Sequence, residues 1–424
     1  MLTTRAVPYR SAWLDYVGLI VFFLNLVLYL IIWSMLLTRF LSWPSTFRAS
    51  LVHPTESLFV PGFVVSLGTI CITIVEYGAN NTGRWLTRAV LVLFWINVFL
   101  AMTLSITIYM ILWSSLTFTI AQMTPIWIFP AYPLLIIGPH AANLSAKLYD
   151  PTQALQVIVG GFTVQGIGFL VSLTIYSSFV YRLMTQKLPN DPSRPGMFVS
   201  VGPAAFTCSG TIGMAQNLQR ALVHVDDPHT QMFMGVPADL AANILRIVAN
   251  WCSLWLWGLA IWFFFVAVIS NIAPLYMHHQ QKAHRDGLGV KRRRSEHKKQ
   301  RETIPFAMTW YSYIFPQTAL TTATFRVAEA FNIEALNVLG CVMTGLLVVL
   351  WFFVVIMMIR AIILKHILWP EKGEDREEGG FMRPRAAEKE KGKDDVEAQA
   401  AASSTSNAAP IGQGARYWSV DGRT

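Results

Sequence analysis

Apolar residues gather into nine runs long enough to cross a bilayer, at 15–37, 57–77, 86–113, 124–146, 153–182, 195–218, 240–271, 303–331 and 336–366. Each is near or above the roughly 20 residues that a helix needs to traverse the hydrocarbon core. The runs are of two kinds. Those at 57–77 (Pro61, Gly62, Ser66, Gly68), 124–146 (Pro125, Pro130, Pro133, Gly138, Pro139), 195–218 (Pro195, Gly196, Ser200, Gly202, Pro203) and 303–331 (Pro305, Pro316, Thr318, Thr321, Thr322) are rich in proline, glycine and small polar residues. The other five are bulkier and more uniformly apolar, and the two kinds alternate along the chain. Backbone groups freed at a proline or glycine are tolerated at membrane depth only where protein or a wet cavity satisfies them. The pattern therefore predicts an all-α membrane protein of helical hairpins around a central pore, with kinked helices lining a path and bulky helices facing lipid. The alternative is that Pro and Gly are simply commoner in membrane helices than in soluble ones.

Polar positions set the orientation. The loop after 240–271 holds Lys282, Arg285, Lys291, Arg292, Arg293, Arg294, Lys298, Lys299 and Arg301, a cluster costly to translocate and attracted to anionic cytoplasmic lipid. With that loop inside, the C-terminus, Arg39, Arg48, Arg182, Lys187 and Arg194 also fall inside, and nine spans put the N-terminus outside with Arg5 and Arg10. The first bulky span, 15–37, then has no kinked partner before it, so a truncated or unusual start is expected. The organisation read this way is an N-terminal segment 1–14, a transmembrane domain 15–369 containing a basic loop 276–302, and a tail 370–424. The tail is charged at first and then Ala-, Ser- and Gly-rich, a composition that cannot form a core.

Composition agrees with this and removes other classes. Hydrophobic residues make up 54% of the 424 and charged residues only 13%, so the burial that folding requires has to come from lipid. The net charge of +9 sits in one loop and a tail beside apolar spans, which argues for a membrane surface and against nucleic acid. The four cysteines, Cys71, Cys208, Cys252 and Cys341, lie in apolar runs without CxxC or metal-finger spacing, so free buried thiols are expected and no metal or cofactor is called for. HExxH, GxSxG and GxxxxGK[ST] patterns are lacking, which argues against an enzyme.

Few ionisable groups stand at membrane depth, where each is a functional candidate by default. His53 and Glu56 flank the mouth of 57–77 and Glu76 its far end. His140 lies within 124–146, where a satisfied interior histidine competes with a titrating one. Arg246 stands near the start of 240–271, where it can snorkel or meet substrate. Arg326 and Glu329 are three apart, so a structural ion pair on one helix face competes with an ion site. A mid-membrane chain of Asp and Glu, as a cation pump would need for a proton relay, is lacking. Anions fit better, because broken helices can aim N–H groups and positive dipole ends at them.

Four segments carry a family resemblance: His53-Pro-Thr-Glu-Ser-Leu-Phe59, Thr124-Pro-Ile-Trp-Ile-Phe-Pro130, Arg194-Pro-Gly-Met-Phe-Val-Ser-Val-Gly-Pro203 and Trp310-Tyr-Ser-Tyr-Ile-Phe-Pro316. From about Pro8 to Pro370 the chain resembles the tellurite-resistance and dicarboxylate transporter family, which includes yeast malic acid permeases, fungal sulfite efflux pumps and plant guard-cell slow anion channels. It is closest to the fungal malic acid branch. The resemblance implies ten helices in five hairpins around a pore, as a homotrimer in the plasma membrane, with a first inner helix that would precede Pro8. It also implies that Phe315, matched to the family's ninth-helix phenylalanine, plugs the pore; plain packing is the alternative for one phenylalanine among 26.

The expected function is transport or conduction of small anions such as malate, with His53, Glu56, Ser57, Pro130, Ser200, Pro203, Pro316 and Thr318 along the path and His140, Arg246 and Arg326 as electrostatic candidates. Sulfite or another inorganic anion is the second reading, and a non-transporting scaffold or regulatory subunit the third.

Overall fold

The computed structural model describes residues 12–52, 56–79, 81–115, 119–120, 123–189, 191–222, 232–287, 306 and 308–364. Its long continuous helices are α1 (Ala12–Ser42), α4 (Arg84–Ser115), α6 (Pro151–Gln186), α8 (Ala238–Gly287) and α10 (Glu334–Ile363). Between them run α2 (Pro44–Val52), a helical turn at Glu56–Phe59, α3 (Gly62–Gly78), α5 (Tyr132–Ser145), α7 (Val201–Leu222) and α9 (Phe315–Phe331). Three of the proline-rich helices open with a 3-10 segment: Pro125–Ala131 before α5, Asp191–Ser200 before α7 and Met308–Tyr313 before α9. A two-residue-per-strand hairpin, Met232–Phe233 with Val236–Pro237, lies between α7 and α8. The chain is thus an all-α membrane protein.

The alternation seen in the sequence is an alternation of depth. The most apolar 18-residue stretch is 89% buried in Pro125–Ser145 and 94% buried in Arg194–Leu222, but only 6% in α1, 22% in α8 and 17% in α10. Proline-bearing helices are inside because each proline leaves a backbone carbonyl that needs a partner, and hydrocarbon offers none. The bulky helices carry no interior proline within their apolar runs, so exposed residues such as Phe99, Leu170, Trp255, Phe265 and Val349 can face lipid.

Among the described residues, eight helical stretches are long and apolar enough to cross a membrane, against nine expected spans. The difference lies in 303–331. There the helix proper is the 17 residues of α9 after the six-residue Met308–Tyr313 turn, and Gln317, Arg326, Glu329 and four threonines lower its hydropathy. Residues 303–305 lie outside the described residues. By rise per residue the turn and helix together reach about 37 Å, sufficient for a core about 30 Å thick.

Local signals fix the helix ends. Asp150 caps α6, its Oδ1 accepting the Thr152 N–H at 2.9 Å, and Pro151 takes the first turn, where its missing N–H costs nothing. Asn332, left-handed at φ 52°, ends α9 with its N–H on the Ala328 carbonyl and lets α10 start two residues later. Small residues bring helices together: a Cβ on Gly213 of α7 would stand 2.8 Å from the Ala142 Cβ of α5, a separation that only glycine permits. The basic loop from 288 onward and the tail from 365 onward lie outside the described residues.

Candidate functional site

The prolines of the inner helices shape the site from its backbone outward. In an α-helix Pro203 cannot donate to the Val199 carbonyl, and the buried Tyr132 hydroxyl of α5 donates to it instead. The adjacent Ser200 carbonyl accepts from the Tyr176 hydroxyl of α6. In the 3-10 segment before α5, Pro130 leaves the Trp127 carbonyl open, and Tyr109 of α4 donates to it at 3.0 Å. Pro139 leaves the Leu135 carbonyl open, and the Gln165 amide of α6 donates to it at 3.3 Å. Each kink is therefore held by a side chain from a neighbouring helix. Removing the hydroxyl in Tyr109→Phe takes away this hydrogen bond to the half-buried Trp127, which costs about 0.5–1.5 kcal/mol. A lowered unfolding midpoint in detergent is the expected reading.

The same tyrosine joins the kinks to a cluster of rings. Phe315, first residue of α9, has its ring centroid 5.8 Å from Tyr132 and 5.4 Å from Phe206 of α7. Phe129 stacks on Tyr132 at 5.2 Å and meets Phe59 at 5.4 Å. Rings from the four inner segments thus form one chain of contacts. Phe315 and Phe129 remain half-buried while Tyr132 is closed off. Along α9 the half-buried positions Phe315, Thr318, Thr322 and Arg326 follow helical spacing and form one stripe. The Thr318 and Thr322 hydroxyls donate to the Phe315 and Thr318 carbonyls at 2.6 Å and 2.8 Å. At the far end Arg326 donates to Gln216 Oε1 of α7 at 3.0 Å and pairs with Glu329 at 3.3 Å.

The expected site residues are distributed as follows. Ser57 is buried in the Glu56–Phe59 turn and its hydroxyl has no hydrogen-bond partner among the described residues; Glu56 is half-buried beside it. Pro130, Pro203 and Pro316 are buried at the three breaks. Ser200 is buried and donates to the Met197 carbonyl at 2.7 Å. His140 is wholly buried between α5 and α4, its ring 5.1 Å from Phe94, and neither ring nitrogen has a partner among the described residues. Arg246 is on the exposed side of α8, the position of a snorkelling side chain. The Arg326–Glu329 pair anticipated as one alternative is present. His53 lies outside the described residues.

Sequence reasoning missed the partners of Phe315. Tyr132 and Phe206 carry no local signal, because a ring at helical spacing in an apolar span reads as ordinary core. The alignment of Tyr132 with a carbonyl 67 residues away exists only in three dimensions. Among the described residues no three His, Cys, Asp or Glu side chains gather as a metal ion would require; the four cysteines are free, but only Cys71 and Cys208 are buried, since Cys252 on α8 is exposed and Cys341 on α10 half-buried, both on outer helices.

Broken, buried helices among more exposed apolar ones, converging on aromatic side chains beside a stripe of half-buried threonines, define a polytopic all-α membrane protein. The chain belongs to the SLAC1 voltage-dependent anion channel family, whose model matches residues 1–359; it is a transporter or channel for anions and not an enzyme. It is 26% identical over 369 residues to a malic acid transport protein of Schizosaccharomyces pombe, covering 87% of this chain and 76% of that one. A putative malic acid transport protein of the same yeast is 24% identical, covering 88% and 79%. A sulfite efflux pump of Arthroderma benhamiae is 22% identical, covering 82% and 83%.

Proposed function

We propose that the protein moves malate or a similar C4-dicarboxylate across the membrane, along a path lined by α3, α5, α7 and α9 and gated by Phe315. The observation that carries this reading is the position of Phe315, half-buried between Tyr132 and Phe206 at the head of the Thr318, Thr322, Arg326 stripe. A bulky apolar ring next to a proline break constricts a path about one ion wide and excludes water when in place. Beyond it, threonine hydroxyls can rotate from backbone carbonyls toward a passing anion, and Arg326 supplies positive potential at the far mouth. Glu56, Ser57, Pro130, Ser200, Pro203 and Pro316 form the approach from the other side. His140 supports the wall and takes no part in anion contact.

The malate assignment is supported by the named malic acid relatives, and sulfite is the second reading because sulfite efflux pumps are relatives too. We place the protein in the plasma membrane as a homotrimer with its C-terminus cytoplasmic. The family supports the location and the trimer, and the lysines and arginines of 282–301 support the orientation. The test is labelled-malate uptake at several pH values in a yeast lacking its own dicarboxylate permeases. Uptake above the empty-vector level is expected. Sulfite tolerance without malate uptake would transfer the assignment to sulfite, and neither activity from a surface-expressed protein would favour a scaffold.

A further inference from the structure

Gln165 belongs to α6, an outer helix, yet it is only 1% exposed. Its side chain passes between two inner helices. The Nε2 atom donates to the Leu135 carbonyl of α5 at 3.3 Å and to the Phe206 carbonyl of α7 at 2.8 Å. The first of these is the acceptor that Pro139 cannot serve. The second belongs to the residue whose ring stands 5.4 Å from Phe315.

Two glycines make room for this amide. A Cβ on Gly138 of α5 would overlap it, and a Cβ on Gly210 of α7 would lie 2.6 Å from Nε2. Gly166, the next residue on α6, has open space around it, so the clearance is specific to the faces that meet Gln165. One neutral amide, inserted where two helices approach through glycine, donates one hydrogen bond to each.

We propose that Gln165 is a positioning residue for the gate. From behind the pore wall it sets the spacing of α5 against α7, and so sets where the Phe206 ring stands against Phe315. The inference rests on the reading of Phe315 as the gate. In that role Gln165 acts through its N–H donors: a side chain of the same length and shape without them fills the space, takes away the donor to the Leu135 carbonyl and leaves the Phe206 carbonyl with Ser209 Oγ, at 3.2 Å, as its side-chain donor, so the tie between α5 and α7 is lost.

The test is anion leak from proteoliposomes containing the purified full chain, at matched amounts of folded protein, with chloride and malate as probe ions. Gln165→Met keeps the apolar volume and removes the donors. It is expected to raise the leak about fivefold to tenfold, the range that one buried hydrogen bond spans. In a Phe315→Ala background the same substitution is expected to add nothing, because no gate ring remains to be positioned. Gly210→Ala, which pushes the amide from the other side, is expected to reproduce the rise and carries the test if the methionine variant does not fold. Gly166→Ala is expected to be silent.

An unchanged leak in folded Gln165→Met would overturn the proposal. So would an equal rise with and without Phe315, which would indicate general loosening of the helices. If Phe315→Ala alone leaves the leak unchanged, the gate reading fails and takes this inference with it; a leak that responds to Phe315 but not to Gln165 defeats the inference alone.

Discussion

Phe315→Ala is expected to raise anion leak through the folded protein by about tenfold or more. Two aromatic contacts hold the ring, at 5.8 Å to Tyr132 and 5.4 Å to Phe206. Such contacts are worth about 0.5–1.5 kcal/mol each, and about 1.4 kcal/mol corresponds to a factor of ten in a population. Alanine removes the contacts and also the bulk that keeps the constriction dry, so both effects act in one direction. Phe315→Leu retains apolar volume without the ring contacts and is expected to fall between the two. Planar-bilayer conductance or proteoliposome efflux reads the change, with the amount of inserted protein measured in parallel. A leak equal to that of the unmodified chain would mean that the ring packs without gating.

The second large effect is expected at Gly202. A Cβ there would overlap the Tyr132 hydroxyl, and Tyr132 has no room to give way: it is 1% exposed, stacked on Phe129 and bonded to the Val199 carbonyl. Gly202→Ala must therefore separate α5 from α7 or break the cap on the Pro203 kink. Overpacking costs about 1–3 kcal/mol, and an orphaned buried carbonyl adds about 1–3 kcal/mol. The expected outcome is a sharply reduced yield of folded protein and, in what survives, a lower unfolding midpoint. Gly258→Ala and Gly345→Ala, where a Cβ meets open space on outer helices, are the controls. They are expected to be neutral or slightly stabilising, since alanine is the better helix former by about 1 kcal/mol. A Gly202→Ala protein as stable as these controls would show that the α5–α7 contact is looser than described.

Which helices lie inside was legible in the sequence because the cause is written there. A proline at membrane depth creates a demand for a hydrogen-bond donor, and Pro125, Pro130, Pro139, Pro195 and Pro203 concentrate in the segments that prove most buried. The 3-10 openings were less legible. Proline marks a break but does not say whether the turn before it tightens. The eighth run reads as one long span because apolar residues dominate 303–331, whereas its α-helix starts only at Phe315.

Of the candidate site, Phe315 was accessible through the motif ending at Pro316, and Thr318 through its place on the same kinked helix. The donors that hold the kinks were not accessible. Tyr109, Tyr132, Tyr176 and Gln165 are bound to carbonyls 18, 67, 24 and 30 residues away, and a tyrosine or glutamine in an apolar run does not announce its acceptor. The ionisable candidates divide for a similar reason. One sequence signal, a charged or titratable residue at depth, covers Arg326 beside α7, His140 sealed against Phe94 and Arg246 on the exposed side of α8. Only packing separates them.

Malate flux through the purified, unmodified full chain in proteoliposomes tests the central claim most directly. The account predicts labelled malate entry that exceeds protein-free vesicles, is inhibited by excess unlabelled dicarboxylate and increases in Phe315→Ala. Folded protein that passes no malate, with or without the Phe315 ring, would contradict it.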